Sequence, residues 1–213
     1  MKTLSHNKIS LALHTLRESD GTPLLLLHGL GERSPSALPD WLTPWSGPVH
    51  ALDFTGHGDS TVPTGGGYTC EVLMADADIA LATIGPATVL GRGLGAWIAL
   101  LVAGARPAAV LGAILADGPG LAGAGPEPGS PFIYPPSAMP TGAPDRLAMA
   151  ELSRDVRPPD YATSFARQAT HLAELATPIT VSAFTRPPWL VAVVAEPGVQ
   201  ELPLDEALAF YAT

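Results

Sequence analysis

The sequence predicts an α/β fold, a mostly parallel sheet with helices on both faces. Three observations carry that expectation. Short apolar runs of strand character alternate with stretches of helical spacing along most of the chain. One run, Leu24-Leu25-Leu26-Leu27, is apolar at every position, as a strand covered on both faces requires. A glycine-rich turn, Gly91-Arg92-Gly93-Leu94-Gly95, follows a strand-like run and opens a helix-like one.

The elements follow in order. Alternation from Lys8 to His14 puts Ile9, Leu11 and Leu13 on one face of a half-buried strand. Ser19-Asp20-Gly21 turns the chain into the Leu24 to Leu27 strand. Val49 to Phe54 is a second short run and ends at Gly56-His57-Gly58. Between Thr69 and Ile84, apolar residues at Val72, Leu73, Ala77, Ala80, Leu81 and Ile84 have helical spacing. Ala87 to Leu90 reads as a strand, Leu94 to Ala105 as a helix closed by Pro107, and Val110 to Ala116 as the next strand. Gly118 to Pro144 then holds eight prolines and too few apolar residues for a regular element. Long connections of this kind are often lids or binding loops. The expectation is one domain over 1–213, with 118–178 a lid or cap-like insertion and its Pro/Gly-rich part a short lid. Two helices follow, near Asp145–Arg154 and Asp160–Ala176, then a strand from Ile179 to Phe184. Pro187-Pro188 opens a helix that Pro197-Gly198 stops. Val199 to Leu202 and Asp205 to Tyr211 make a last strand and helix.

Composition sets the outer limits. With 213 residues, 46% hydrophobic, the chain can bury a full core. A formal charge of −9 repels phosphate backbones, so nucleic acid is not an expected partner. Cys70 is the single cysteine, which excludes an intramolecular disulfide and a cysteine-based metal site. The first residues lack the apolar core of a signal peptide, and no apolar run reaches the roughly 18 residues of a membrane span. The expected setting is the cytoplasm, without membrane, metal or cofactor.

Three segments bear on function: LLLLHGLGE (Leu24 to Glu32), DFTGHGDS (Asp53 to Ser60) and VLGRGLGAWIALLVAGARP (Val89 to Pro107). In this order they resemble the α/β-hydrolase family over nearly the whole chain. The resemblance implies an oxyanion hole built from the backbone N–H groups of Leu30 and Leu94, and a nucleophile elbow at residues 91–95. In the family's G-x-S-x-G elbow a serine stands at the third position; here it is Gly93. The other triad positions are also empty. Thr185-Arg186-Pro187 offers no acid after the penultimate strand, and no histidine follows His171. Asp117, at the end of its strand, occupies an alternative acid position. The resemblance therefore implies a degenerate member binding a small carboxylate- or carbonyl-bearing ligand at His28, Gly29, Leu30, Arg92, Gly93, Leu94 and Asp117, with Glu32 on the rim.

Rival readings come from the same residues. A serine-independent hydrolase or lyase would use His28 or Asp117 as acid and base beside the oxyanion hole. Gly91-x-Gly93-x-x-Ala96, with Asp117 about 20 residues on, also satisfies a dinucleotide-binding fingerprint. Structural roles stand beside these: His28 shaping its loop, Asp53 and His57 fixing a turn, Asp117 capping N–H groups, Arg92 pairing with a carboxylate, Cys70 as a small buried hydrophobe. His14 and His50 read as packing or surface groups, and the pair Trp41 and Trp45 as packing before a substrate platform.

Overall fold

The structure, a computed structural model, describes residues 1–123 and 142–212. Among these residues eight strands form one sheet: β1 (Lys2–His6), β2 (Ile9–Arg17), β3 (Leu24–Leu27), β4 (Val49–Asp53), β5 (Ala87–Arg92), β6 (Val110–Ala116), β7 (Ile179–Ser182) and β8 (Val199–Glu201). Their spatial order is β1-β2-β4-β3-β5-β6-β7-β8. The β1–β2 and β2–β4 pairs are antiparallel, and every pair from β4 to β8 is parallel. β1 has no counterpart in the sequence reading. Only Leu4 of its five residues is buried, so it shows no alternation to read. Its turn rests on Asn7, whose φ of 54° lies in the left-handed region that asparagine tolerates.

Among the described residues six helices flank the sheet: α1 (Cys70–Ile84), α2 (Leu94–Ala105), α3 (Arg146–Leu152), α4 (Pro159–Leu172), α5 (Pro188–Val194) and α6 (Leu204–Tyr211). The α1 start is fixed by Thr69, whose hydroxyl accepts from the Val72 N–H, and its end by Gly85 at φ 87°. α2 is apolar all round because it is enclosed, packed between the sheet, α1 and α4. α4 is amphipathic instead, burying Ala162, Ala166 and Ala169 on one face. Its helix ends at Leu172, short of the expected Ala176.

Two apolar clusters lie on the two sheet faces. The larger joins α1 to α5 with Leu25, Leu27, Val89 and Leu115; the smaller joins α6 with Leu24, Leu26, Leu90, Leu42 and Trp45. Successive residues of β3 feed opposite clusters, which is why its run is apolar throughout. Of the segment 118–178 expected to form a lid or cap, residues 124–141 lie outside the described residues, and α4 packs on α2 and α5. Among the described residues no helix is long and apolar enough to cross a membrane.

Candidate functional site

The elbow is built as its glycines require. Gly93 sits between β5 and α2 at φ 59°, ψ −118°, a conformation that strains any residue with a Cβ. Gly91 and Gly95 let the strand, the helix and the β3 loop approach: a Cβ on Gly91 would stand 2.6 Å from the Ala96 nitrogen, and one on Gly95 2.7 Å from the His28 oxygen.

The hole beside the elbow is filled. The N–H groups of Leu30 and Leu94 both donate to the carbonyl oxygen of Pro119, each at 2.9 Å. The chain leaving β6 thus places a peptide carbonyl where a ligand was expected. A Cβ on Gly93 would lie 2.5 Å from the Gly118 carbonyl carbon and closer still to the Pro119 oxygen. Two buried side chains pin this strap. Arg157 Nη1 donates to Gly120 O at 2.5 Å and Leu121 O at 2.6 Å, and Trp189 Nε1 donates to Leu121 O at 2.9 Å. The Arg157 side chain is only 1% exposed, 3.7 Å from Asp155 and 5.4 Å from the Trp97 ring centroid. Among the described residues its Nε and Nη2 make no hydrogen bond, so a buried cation is spent on two strap carbonyls.

These positions correct three expectations. The Leu30 and Leu94 amides are not free for a carboxylate, because Pro119 occupies them. His28 is not placed as an acid–base group. Its Nδ1 is 2.8 Å from Gly29 O, which can only accept, and its Nε2 is 3.1 Å from Phe54 N–H, which can only donate. Both nitrogens are committed, in one neutral tautomer. Burial lowers its pKa further. The dinucleotide reading fails at the same place, since the α2 N-terminus that would meet a pyrophosphate already holds the Pro119 carbonyl.

Asp117 is a cap. Its carboxylate accepts from Phe184 N–H at 2.5 Å and Thr185 N–H at 3.0 Å. Burial would push its pKa up, but these two donors outweigh it and hold the pKa below the usual carboxylate range, unlike a general base. The same bonds end β7 at Ser182 and leave Phe184 95% exposed. Arg92 Nη1 lies 3.5 Å from Glu32 Oε1, while Glu32 Oε2 accepts from Gly29 N–H at 2.9 Å. Cys70 is buried, its thiol donating to Asp155, and burial raises its pKa.

Asp53 and His57 hold the turn after β4. Asp53 accepts from Ser34 N–H, Asp59 N–H and His14 Nε2 at 2.6, 2.8 and 3.0 Å. His14, Asp53 and Asp59 are close enough to meet on one ion, but these bonds already make them a turn lock. His57 stacks near His28, with ring centroids 5.1 Å apart; burial first, then that neighbour, lowers its pKa from 6.5 to about 3. The unfolded chain therefore takes up protons before the folded one as pH falls, and stability declines from about pH 6.5 toward about 3. Urea unfolding at pH 7, 5.5 and 4 should show His57→Phe flattening this decline by up to about 1.4 kcal/mol per pH unit. An identical slope in parent and variant would remove His57 from the account.

A cavity of about 740 Å³ opens at the C-terminal edge of the sheet, lined by residues after β7 and β8 and by Arg92, Asp117 and Trp41. The turns after β7 and β8, where the resemblance places the acid and the base, contribute to its lining. Trp41 departs from the packing expectation. Trp45 is fully buried, whereas Trp41, on the 3-10 turn Asp40–Leu42, is 38% exposed at this cavity.

The sheet order, the positive-φ elbow and the paired amides facing it define a hydrolase-type scaffold. The alpha/beta hydrolase family model matches residues 24–211, and the chain belongs to that family. Among solved structures it is similar to Est1E from Butyrivibrio proteoclasticus with ferulic acid bound (TM-score 0.65, 13% identity, 100% of this chain and 96% of that one). It is also similar to Est816, an N-acyl homoserine lactone degrading enzyme (0.64, 18%, 99% and 97%), and to the enol-lactonase from Burkholderia xenovorans LB400 (0.61, 17%, 99% and 96%). No curated protein matches the chain.

Proposed function

We propose that this chain is a non-catalytic member of its family, one that binds a small carboxylate- or carbonyl-bearing ligand in the crevice at the C-terminal edge of the sheet. One observation carries the reading. The Pro119 carbonyl accepts from both oxyanion-hole amides and stands over a residue that has no side chain. Acyl transfer needs a nucleophile, an adjacent base and free donors for the developing oxyanion. Position 93 supplies no nucleophile, the position after β8 supplies no histidine, and the strap takes the donors. The lactone chemistry named for two of the structural neighbours departs from this chain at those points.

The test pairs an activity with a binding measurement. The parent protein should turn over p-nitrophenyl acetate and butyrate no faster than buffer, and a fluorophosphonate serine probe should leave it unlabelled. A panel of short carboxylic acids should raise its melting temperature, since a ligand at 100 times its Kd stabilises by about 2.7 kcal/mol. Robust parent turnover would restore the serine-independent enzyme.

A further inference from the structure

We propose that the crevice takes a small aromatic carboxylate, its carboxylate held by Arg92 and its ring laid against Trp41. The proposal rests on the binding reading above and names its ligand class. With the oxyanion hole filled, another group must hold the ligand's charge, and the crevice narrows the choice. Asp117 is capped by two N–H groups, Arg186 pairs with Glu201 and with the Ala183 carbonyl, and the Ser182 hydroxyl donates to Leu202 O at 2.6 Å. Arg92 makes no hydrogen bond among the described residues. Its ion-pair contact, to Glu32, is 3.5 Å long and engages one nitrogen. The remaining N–H groups of this planar fork match a carboxylate, and with 40% of the side chain exposed the guanidinium is open to an incoming ligand.

The apolar partner is equally placed. Leu42 and Trp45 are fully buried and anchor the 3-10 turn that presents the indole of Trp41. Trp41 and Arg92 line both the crevice and a smaller neighbouring cavity of about 230 Å³, so the cation and the indole share one rim. Exposed aromatic faces offer more to a planar ring than to a flexible aliphatic chain. The crevice volume, about 740 Å³, falls in the range of about 300–1,000 Å³ common for small-molecule sites.

Trp41 is also the reporter, because Trp45, Trp97 and Trp189 are buried. Calorimetric titration would compare phenylacetate, phenylacetamide and hexanoate on the parent, Arg92→Gln and Trp41→Leu, with the melting temperature of each variant recorded as a folding control. Phenylacetate should bind at least tenfold tighter than the other two and quench the exposed tryptophan emission. Arg92→Gln should abolish the acid–amide difference, and Trp41→Leu the aromatic–aliphatic difference. Equal affinity for acid and amide, or an acid–amide gap that survives in Arg92→Gln, overturns the proposal. Hexanoate matching phenylacetate overturns the aromatic assignment while leaving the binding reading intact. If none of the three binds and the parent hydrolyses esters, the binding reading itself falls.

Discussion

Gly93→Ser is expected to lower unfolding stability by roughly 2–6 kcal/mol, from overpacking and backbone strain of about 1–3 kcal/mol each, and to create no esterase. The new Cβ has nowhere to go. It would enter the Gly118–Pro119 backbone, in a φ, ψ region unfavourable to any residue but glycine. If the strap yields instead, the Leu30 and Leu94 amides lose their shared acceptor. Either route takes a large share of the 5–15 kcal/mol or so that holds a domain folded. Gly93→Ala, which adds the Cβ without the hydroxyl, should lose a similar amount. The hydroxyl itself gains no base, since both His28 nitrogens are bonded to backbone and no histidine follows the last strand. Urea unfolding of the three proteins, with p-nitrophenyl butyrate as substrate, tests both halves. A serine variant as stable as its parent and turning over ester robustly would refute the degenerate reading.

Arg157→Met should cost about 3 kcal/mol, the lower end of the range for breaking a buried ion pair, since Asp155 is partly exposed. The loss leaves the Gly120 and Leu121 carbonyls without their guanidinium and Asp155 without its neighbouring cation. Because burial already lowers the Arg157 pKa, the side chain is itself costly to bury, which holds the cost down. The distinctive consequence lies at the other end of the strap. Hydrogen exchange at the Leu30 and Leu94 amides should accelerate, while exchange in the centres of β5 and β6 tracks only the global loss. Trp189→Phe, which removes one donor and keeps most of the ring packing, should give a milder version of about 1 kcal/mol. Unchanged protection of those two amides in both variants would mean that Arg157 and Trp189 do not hold the plug.

Much of the architecture is legible in the residues because it rests on local periodicity. The apolar period over Cys70–Ile84 and the all-apolar Leu24–Leu27 run belong to single segments and survive without tertiary information. The elbow is legible for a related reason: the spacing of Gly91, Gly93 and Gly95 marks where backbone must pass close to backbone. The missing serine and histidine are legible too, since identities at known places in the strand order suffice. β1 is not, because one buried residue in five leaves no pattern. The end of β7 is not, because Asp117, from another strand, captures the N–H groups of Phe184 and Thr185.

The sequence by itself determined the order of strands and helices from β2 onward, the elbow, and the absence of a serine at position 93 and of a histidine after His171. Tertiary structure alone decided what surrounds the elbow. It left Trp41 exposed and Trp45 buried within one short stretch, committed both nitrogens of His28 to backbone, and brought the Pro119 carbonyl onto the amides of Leu30 and of Leu94 at the start of α2. The physical reason is that side chains carry their chemistry in their identity, whereas every residue carries a backbone carbonyl and nearly every one an N–H. Which carbonyl meets which amide depends on where the chain runs, and no residue type announces it.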